Sequence, residues 1–306
     1  MKINYVTIAQ ENFGSYRYHI KTPALELKKL GHNVSITQHP IENCDAYIFH
    51  KHLRYSEHEM MRELKREHPN CKNYFIACDY HLDTKHREHY LKMINGCDVL
   101  VVCTEAMREI LKEETGRDGV VIKDPWGIEF EEQKPFFRKK KRLNLLWFGS
   151  QTNLDALSEV IDGLGEHDVT VVADKPSGWF NHNEKVVRFV NYSIEALRDE
   201  FNNCDVVIIP QQVDRKRRQV KTHNRLVDSI RAGKFTIASP VSAYKELGDY
   251  CYLGEIRDGL EWLATQPSES IESKIALGQE HIRKEFSPEK IGRDWENLLY
   301  GKRDTV

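Results

Sequence analysis

Short apolar runs of strand length alternate along this chain with stretches whose apolar residues recur at helical spacing. KINYVTI at 2–8 gives way to a helical pattern over 17–30 carrying Ala24, Leu25, Leu27 and Leu30. Gly31 ends that helix, and NVSIT at 33–37 reads as the next strand. The rhythm continues with AYIFH at 46–50, a helix over 56–67, NYFIA at 73–77, a helix over 84–95, DVLVVC at 98–103 and a helix over 104–114. Such alternation predicts a parallel sheet covered by helices on both faces. Between 124 and 142 it stops: Pro125, Pro135 and the run Arg138-Lys139-Lys140-Lys141-Arg142 show no periodicity. It resumes with LNLLWFG at 143–149, a helix from about 153, DVTVVA at 168–173, VVRFV at 186–190, a helix over 193–203 and DVVII at 205–209. The expected architecture is α/β, two doubly wound Rossmann-like units joined by a linker. Such sheets bind ligands at the carboxyl ends of their strands, so the expected site is the cleft between them. The tail, roughly 272–300, reads as helical and long enough to cross back to the first unit.

Composition narrows the class. A length of 306 residues suits two domains of ordinary size, and 40% hydrophobic with 30% charged residues suits a soluble globular chain. A net charge of -2 argues against wholesale nucleic-acid binding, though not against a local basic patch. No apolar stretch reaches the ~18 residues of a membrane span, and the chain runs straight into a strand without a signal peptide, so a cytoplasmic protein is expected. Its seven cysteines are odd in number and lack a C-x-x-C pair; they read as reduced, buried, inert thiols.

The stretch VKTHNRLVDSIRAGKFTIASP at 220–240 raises a physical question. Its back end reads as a helix stop at Ala232-Gly233 followed by a buried strand. Its front end places Lys221 and Arg225 four residues apart, on one face of an expected first helical turn, with Thr222 and Asn224 as extra donors. Cations there oppose the helix dipole by a few tenths to ~1 kcal/mol each. A helix N-terminus is also a ready anion site. A bound anion would resolve the conflict.

CDVVIIPQ at 204–211, with the run from Val220 to Gly254, resembles the donor-binding region of GT-B glycosyltransferases of the retaining family 4 group. Asp228 to Ala238 corresponds to that group's E-A-M-A-C-G-x-P-V-V-A step. HIKTPALELKKLGHNVSIT, GCDVLVVCTEAMREIL, LLWFGSQTNLDAL and FSPEKIGRDWENLL are similar to other segments of the same fold. The resemblance implies a GT-B arrangement: an N-terminal acceptor domain over 1–137, a C-terminal nucleotide-sugar domain over 143–285, and a helix over 286–306 returning to the first domain. It implies a glycosyltransferase, hexosyl or pentosyl, acting on a nucleotide-diphosphate sugar without further cofactor. The family's two glutamates are separated by seven intervening residues; Asp228 occupies the second position and Val220 the first. The Arg and Lys usual after the first C-terminal strand are missing from GSQTNLDAL, which assigns the phosphate role to Lys221, Asn224 and Arg225.

A diphosphate matches the charge and fork geometry of Lys221 and Arg225. Asp228 would accept from ribose hydroxyls. Gly149, after the first strand of the second unit, and Arg218, in the basic run 215–218, complete the expected donor set with Thr222. In the first unit Asn12 to Arg17 follows a strand; Gly14, Ser15 and Arg17 form the expected acceptor or phosphate loop. Asp79 and His81 follow the strand at 73–77, where a carboxylate can orient a histidine as base. His50, His52, Asp79 and His81 all follow strand ends and could ligate a metal, but their spacing matches no signature, and no D-x-D is present. Metal-independent stabilisation of the leaving group by the basic residues is expected. The acceptor is open: polysaccharide, protein, small molecule or modified nucleic acid. A non-glycosylating nucleotide-sugar enzyme of epimerase type and an inactive nucleotide-binding scaffold are the alternatives.

Overall fold

The computed structural model describes residues 1–11, 13–51, 55–127, 132–174 and 187–301; Asn12 and His52 lie outside them. The chain forms two compact units. One comprises residues 1–127, 219–222 and 284–306, the other 128–218 and 223–283. Each carries a six-stranded sheet, and every strand pair is parallel.

In unit 1 the strands are β1 (Lys2–Thr7), β2 (Asn33–Thr37), β3 (Ala46–His50), β4 (Lys72–Ala77), β5 (Val99–Val102) and β6 (Val120–Val121), in spatial order β2-β1-β3-β4-β5-β6. All five residues of β3 are buried, which is why its sequence reads as a continuous run rather than an alternating one. One face packs Ile3, Tyr5, Ile48, Tyr74 and Val101 against the helix Thr22–Lys29 and the C-terminal helix Pro288–Leu299. The C-terminal helix crosses Thr22–Lys29 closely: a Cβ added at Gly292 would stand 2.4 Å from Glu26 Cβ. Trp295, 2% exposed, sets its ring edge-on to Tyr5 and Tyr74 at 6.1 and 6.4 Å.

In unit 2 the strands are β7 (Asn144–Phe148), β8 (Asp168–Ala173), β9 (Val187–Asn191), β10 (Val206–Ile209), β11 (Phe235–Ala238) and β12 (Tyr252–Leu253), in order β12-β11-β10-β7-β8-β9. Numbered within the unit this is 3-2-1-4-5-6, the order of dinucleotide-binding sheets. The expected helix stop is a Schellman turn: Gly233 takes φ +71°, its N–H donates to Ile230 O at 2.9 Å, and Lys234 N–H donates to Ser229 O at 3.1 Å.

Two expectations change. Residues 132–137, expected to end the first domain, cluster with unit 2, because Phe137 enters that unit's core and its N–H donates to Glu272. The tail is two helices, Ser268–Glu285 and Pro288–Leu299, divided where Ser287 caps the second and Pro288 opens it. The basic run 138–142 makes ion pairs within unit 2: Lys140 with Asp205 at 2.7 Å, Lys141 with Glu166 at 3.9 Å and Arg142 with Asp168.

Candidate functional site

The order of the unit 2 sheet reverses between β7 and β10, and ligands of such sheets bind outside the strand ends at that point. From β7 the chain runs through Gly149 and Ser150, whose Oγ accepts from Thr152 N–H, into the helix Leu154–Ile161. From β10 it runs through Pro210, Gln211 and Gln212. Two arginines reach the end of β7. Arg225, on the helix Asn224–Arg231, donates from Nη1 to Phe148 O at 3.2 Å and lays its guanidinium over Trp147, 5.7 Å from the ring centroid. Arg218 donates from Nη2 to Thr152 O at 3.3 Å and from Nη1 to Asn153 Oδ1. Gly149 makes room for this: a Cβ there would meet Arg225 Nη1 at 3.3 Å and Trp147 Cη2 at 3.4 Å.

The electrostatics point to an anion. Burial, then the guanidiniums of Arg217, Arg225 and Arg215, push the Arg218 pKa down, against a minor opposing effect of Asp155. Arg218 Nε, Arg225 Nη2, Asn224 Oδ1 and Gln212 Oε1 are buried and make no hydrogen bond among the described residues. Leaving one such group unsatisfied costs about 1–3 kcal/mol. Several on elements meeting at one end of a sheet mark a place built for a polar ligand.

Of the expected donor residues, the structure gathers Gly149, Arg218 and Arg225, with Asn224 at the helix start. Lys221 and Thr222 belong to unit 1. The helix begins at Asn224, so Lys221 and Arg225 do not share its first turn. The cause lies at Val220, which is 2% exposed in the core of unit 1; Thr104 Oγ1 donates to its carbonyl, occupying the acceptor a longer helix would use. His223, wholly buried, then pairs with Glu246. Asp228 is only 1% exposed; burial pushes Arg231 down, and the Asp228 carboxylate opposes that shift. Sequence reasoning missed Trp147, Asn153 and Glu246. Trp147 and Asn153 flank Gly149 at a strand end, and that adjacency was their available signal.

In unit 1, Gly14 and Ser15 open a helical turn, and Arg17 begins a π-helical stretch, Arg17–Lys21, that runs into Thr22–Lys29. Inserted π turns recur at functional sites. Asp79 and His81 do not form the expected oriented pair. Asp79 Oδ2 accepts from Lys51 Nζ at 2.7 Å, and Lys51 itself has a left-handed backbone, φ 56°. Burial would raise the Asp79 pKa; Lys51 overrides it and holds the carboxyl far below the usual range. His81 packs edge-on to Tyr90 and His86 at 5.4 and 6.0 Å, its Nδ1 buried and without a hydrogen-bond partner among the described residues. Burial pushes its pKa down despite Asp79, which favours the neutral ring.

Solved structures place this architecture. An avilamycin A biosynthesis glycosyltransferase, AviGT4, superposes with a TM-score of 0.59 at 11% identity, over 98% of both chains. The glycotransferase of kitacinnamycin matches at 0.53 and 10% identity over 97% of this chain and 98% of that one. An α-glucosyltransferase solved in complex with UDP-glucose and DNA containing an abasic site matches at 0.58 and 8% identity, again over 97% and 98%. The fold is of GT-B glycosyltransferase type. No protein-family model and no curated protein matches the sequence. Identities of 8–11% carry the fold and leave the chemistry to this chain's own residues. Among the described residues no helix is long and apolar enough to cross a membrane.

Proposed function

We propose that this protein is a glycosyltransferase that binds a nucleotide-diphosphate sugar at the β7/β10 end of unit 2 and transfers its sugar, hexosyl or pentosyl, to an acceptor. The observation that carries this reading is the pair Arg218 and Arg225, each with a buried N–H lacking a partner among the described residues. Their charges repel one another unless an anion lies between. A diphosphate suits the guanidinium fork, and its charge rises as the glycosidic bond breaks, so the same donors stabilise the departing group. Gly149 lets Arg225 lie against the β7 end, and Asn224 offers a side-chain contact at the helix start. Asp228 is proposed for the ribose, on the resemblance rather than on exposure.

The α-glucosyltransferase neighbour, described as a UDP-glucose complex, supports a uridine-type donor as the first to test, and its DNA keeps a nucleic-acid acceptor alongside polysaccharide, protein and small molecule. His81 is proposed as the base; Asp79, tied to Lys51, does not orient it. Calorimetry with UDP, GDP and TDP against their free nucleosides tests the donor site. Binding of one diphosphate but not its nucleoside, followed by slow hydrolysis of the matching sugar nucleotide, is the expected result. Failure of every diphosphate to bind would overturn the reading.

A further inference from the structure

The carboxyl ends of β3, β4, β5 and β6 in unit 1 enclose polar groups that the transfer reaction does not use. His19 from the π-helical stretch, His50 ending β3, Cys78 after β4, Cys103 after β5 and Asp124 after β6 are each 8% exposed or less. One ring nitrogen each from His19 and His50 and the Cys78 sulfur lie within 4.8 Å of one another. The imidazoles lie close, with ring centroids 5.2 Å apart.

We propose that His19, His50 and Cys78 bind a zinc ion. Three features favour this set. His50 Nε2 and Cys78 Sγ stand 3.5 Å apart; nitrogen and sulfur at zinc-ligand bond lengths on one tetrahedral ion would be separated by about 3.6 Å. Each imidazole is held by its other nitrogen: Thr7 Oγ1 lies 3.0 Å from His50 Nδ1, and Asp124 Oδ1 lies 2.9 Å from His19 Nδ1. Zinc would then sit on Nε2 of each ring, with Asp124 in the carboxylate–histidine position that orients zinc ligands. Two imidazoles and a thiolate are also the donor types zinc takes, in preference to magnesium or calcium. On binding, Cys78 gives its thiol proton, and any proton on a ligating nitrogen, to solvent. A second triad, His19, Cys103 and Asp124, shares the His19 ring; it would require His19 Nδ1, the nitrogen already held by the carboxylate.

The ion would fasten the π-helical stretch to the ends of β3 and β4. This site is independent of the donor reading, since none of its residues belongs to unit 2.

The test begins with untagged protein purified without chelator and analysed by elemental mass spectrometry, with about one zinc per chain expected. Exchange for cobalt(II) should give a thiolate-to-metal charge-transfer band and intense tetrahedral d–d bands. Cys78→Ser and His50→Gln should lose the metal, and Cys103→Ser should keep it. Asp124→Asn and Thr7→Val should weaken zinc affinity about 10- to 100-fold. Sub-stoichiometric zinc together with no charge-transfer band when wild-type apoprotein is given cobalt would overturn the proposal, whether or not the variants fold. Metal lost in Cys103→Ser but retained in Cys78→Ser would overturn the ligand assignment.

Discussion

Arg225 Nη1 donates to Phe148 O at 3.2 Å, which pins one arm of the guanidinium to the end of β7 while Nη2 stays buried without a partner among the described residues. An arginine so held is pre-organised: part of its ordering cost is met before any ligand arrives.

Arg225→Ala should therefore weaken nucleotide-diphosphate binding by about 1.5–3 kcal/mol, the range for a charge-assisted hydrogen bond, with a much smaller effect on the free nucleoside. Arg225→Lys should rescue only part, since an ammonium cannot bond Phe148 O and a phosphate in the same planar geometry. Calorimetry of both variants against both ligands decides it. Equal losses for nucleoside and diphosphate would make Arg225 structural.

His167 supplies a pH prediction in the same unit. Leu143 N–H donates to His167 Nδ1 at 3.2 Å, so that nitrogen carries a lone pair rather than a proton. Burial pushes the pKa down, against the opposing carboxylates of Glu166 and Asp168. The unfolded chain takes up this proton near pH 6.5 while the folded chain resists it, so stability is present above about 6.5 and lost as pH falls toward the folded value. Urea unfolding of wild type and His167→Asn, which keeps an acceptor but does not titrate, should show a shallower acid loss in the variant. Identical pH slopes would remove His167 from the account.

The sheets were legible because parallel strands buried on both faces are written as unbroken apolar runs; AYIFH and DVVII mark β3 and β10 nearly to the residue. The two-residue strands β6 and β12 are too short to show a period, and both sit at sheet edges. The start of the helix at Asn224 was not legible, since local propensity cannot reveal that Val220 is taken into another unit's core. Nor was the buried histidine cluster: His19 and Cys103 are 84 residues apart and adjacent only through the crossovers of the sheet. Gly149 could be singled out from sequence because it directly follows a strand, and strand ends at a switch point are where such sheets bind ligands; Arg218 stood out only as part of a basic run.

The contact between the C-terminal helix and Thr22–Lys29 predicts a stability effect. Trp295→Ala should cost about 3–5 kcal/mol, as for other large buried aromatics. Gly292→Ala adds one methyl where Glu26 Cβ already stands 2.4 Å away, so it should destabilise by about 1–3 kcal/mol through forced separation of the helices. Chemical denaturation followed by Trp fluorescence (for Gly292→Ala) and by circular dichroism (for both) measures this. Wild-type midpoints would mean that the tail contributes nothing to unit 1.

His81 provides the most exposed test of the chemistry. If its neutral ring takes the acceptor proton, His81→Ala should lower turnover by about 10²–10⁴-fold while donor affinity stays within a factor of a few. Burial lowers its pKa, so activity should fall with acid only below the ordinary histidine value of about 6.5, and that limb should vanish in the variant. Asp79→Asn separates orientation from charge. Because Asp79 bonds Lys51 rather than His81, the substitution should cost turnover far less than His81→Ala and act instead through a freed Lys51. Comparable losses in the two variants would mean that the carboxylate and the ring act as one unit during the reaction, after a rearrangement of the Lys51 pair. Full activity and normal stability in His81→Ala would place the proton on a donor-phosphate oxygen, which the arginines at the end of β7 would then hold in position.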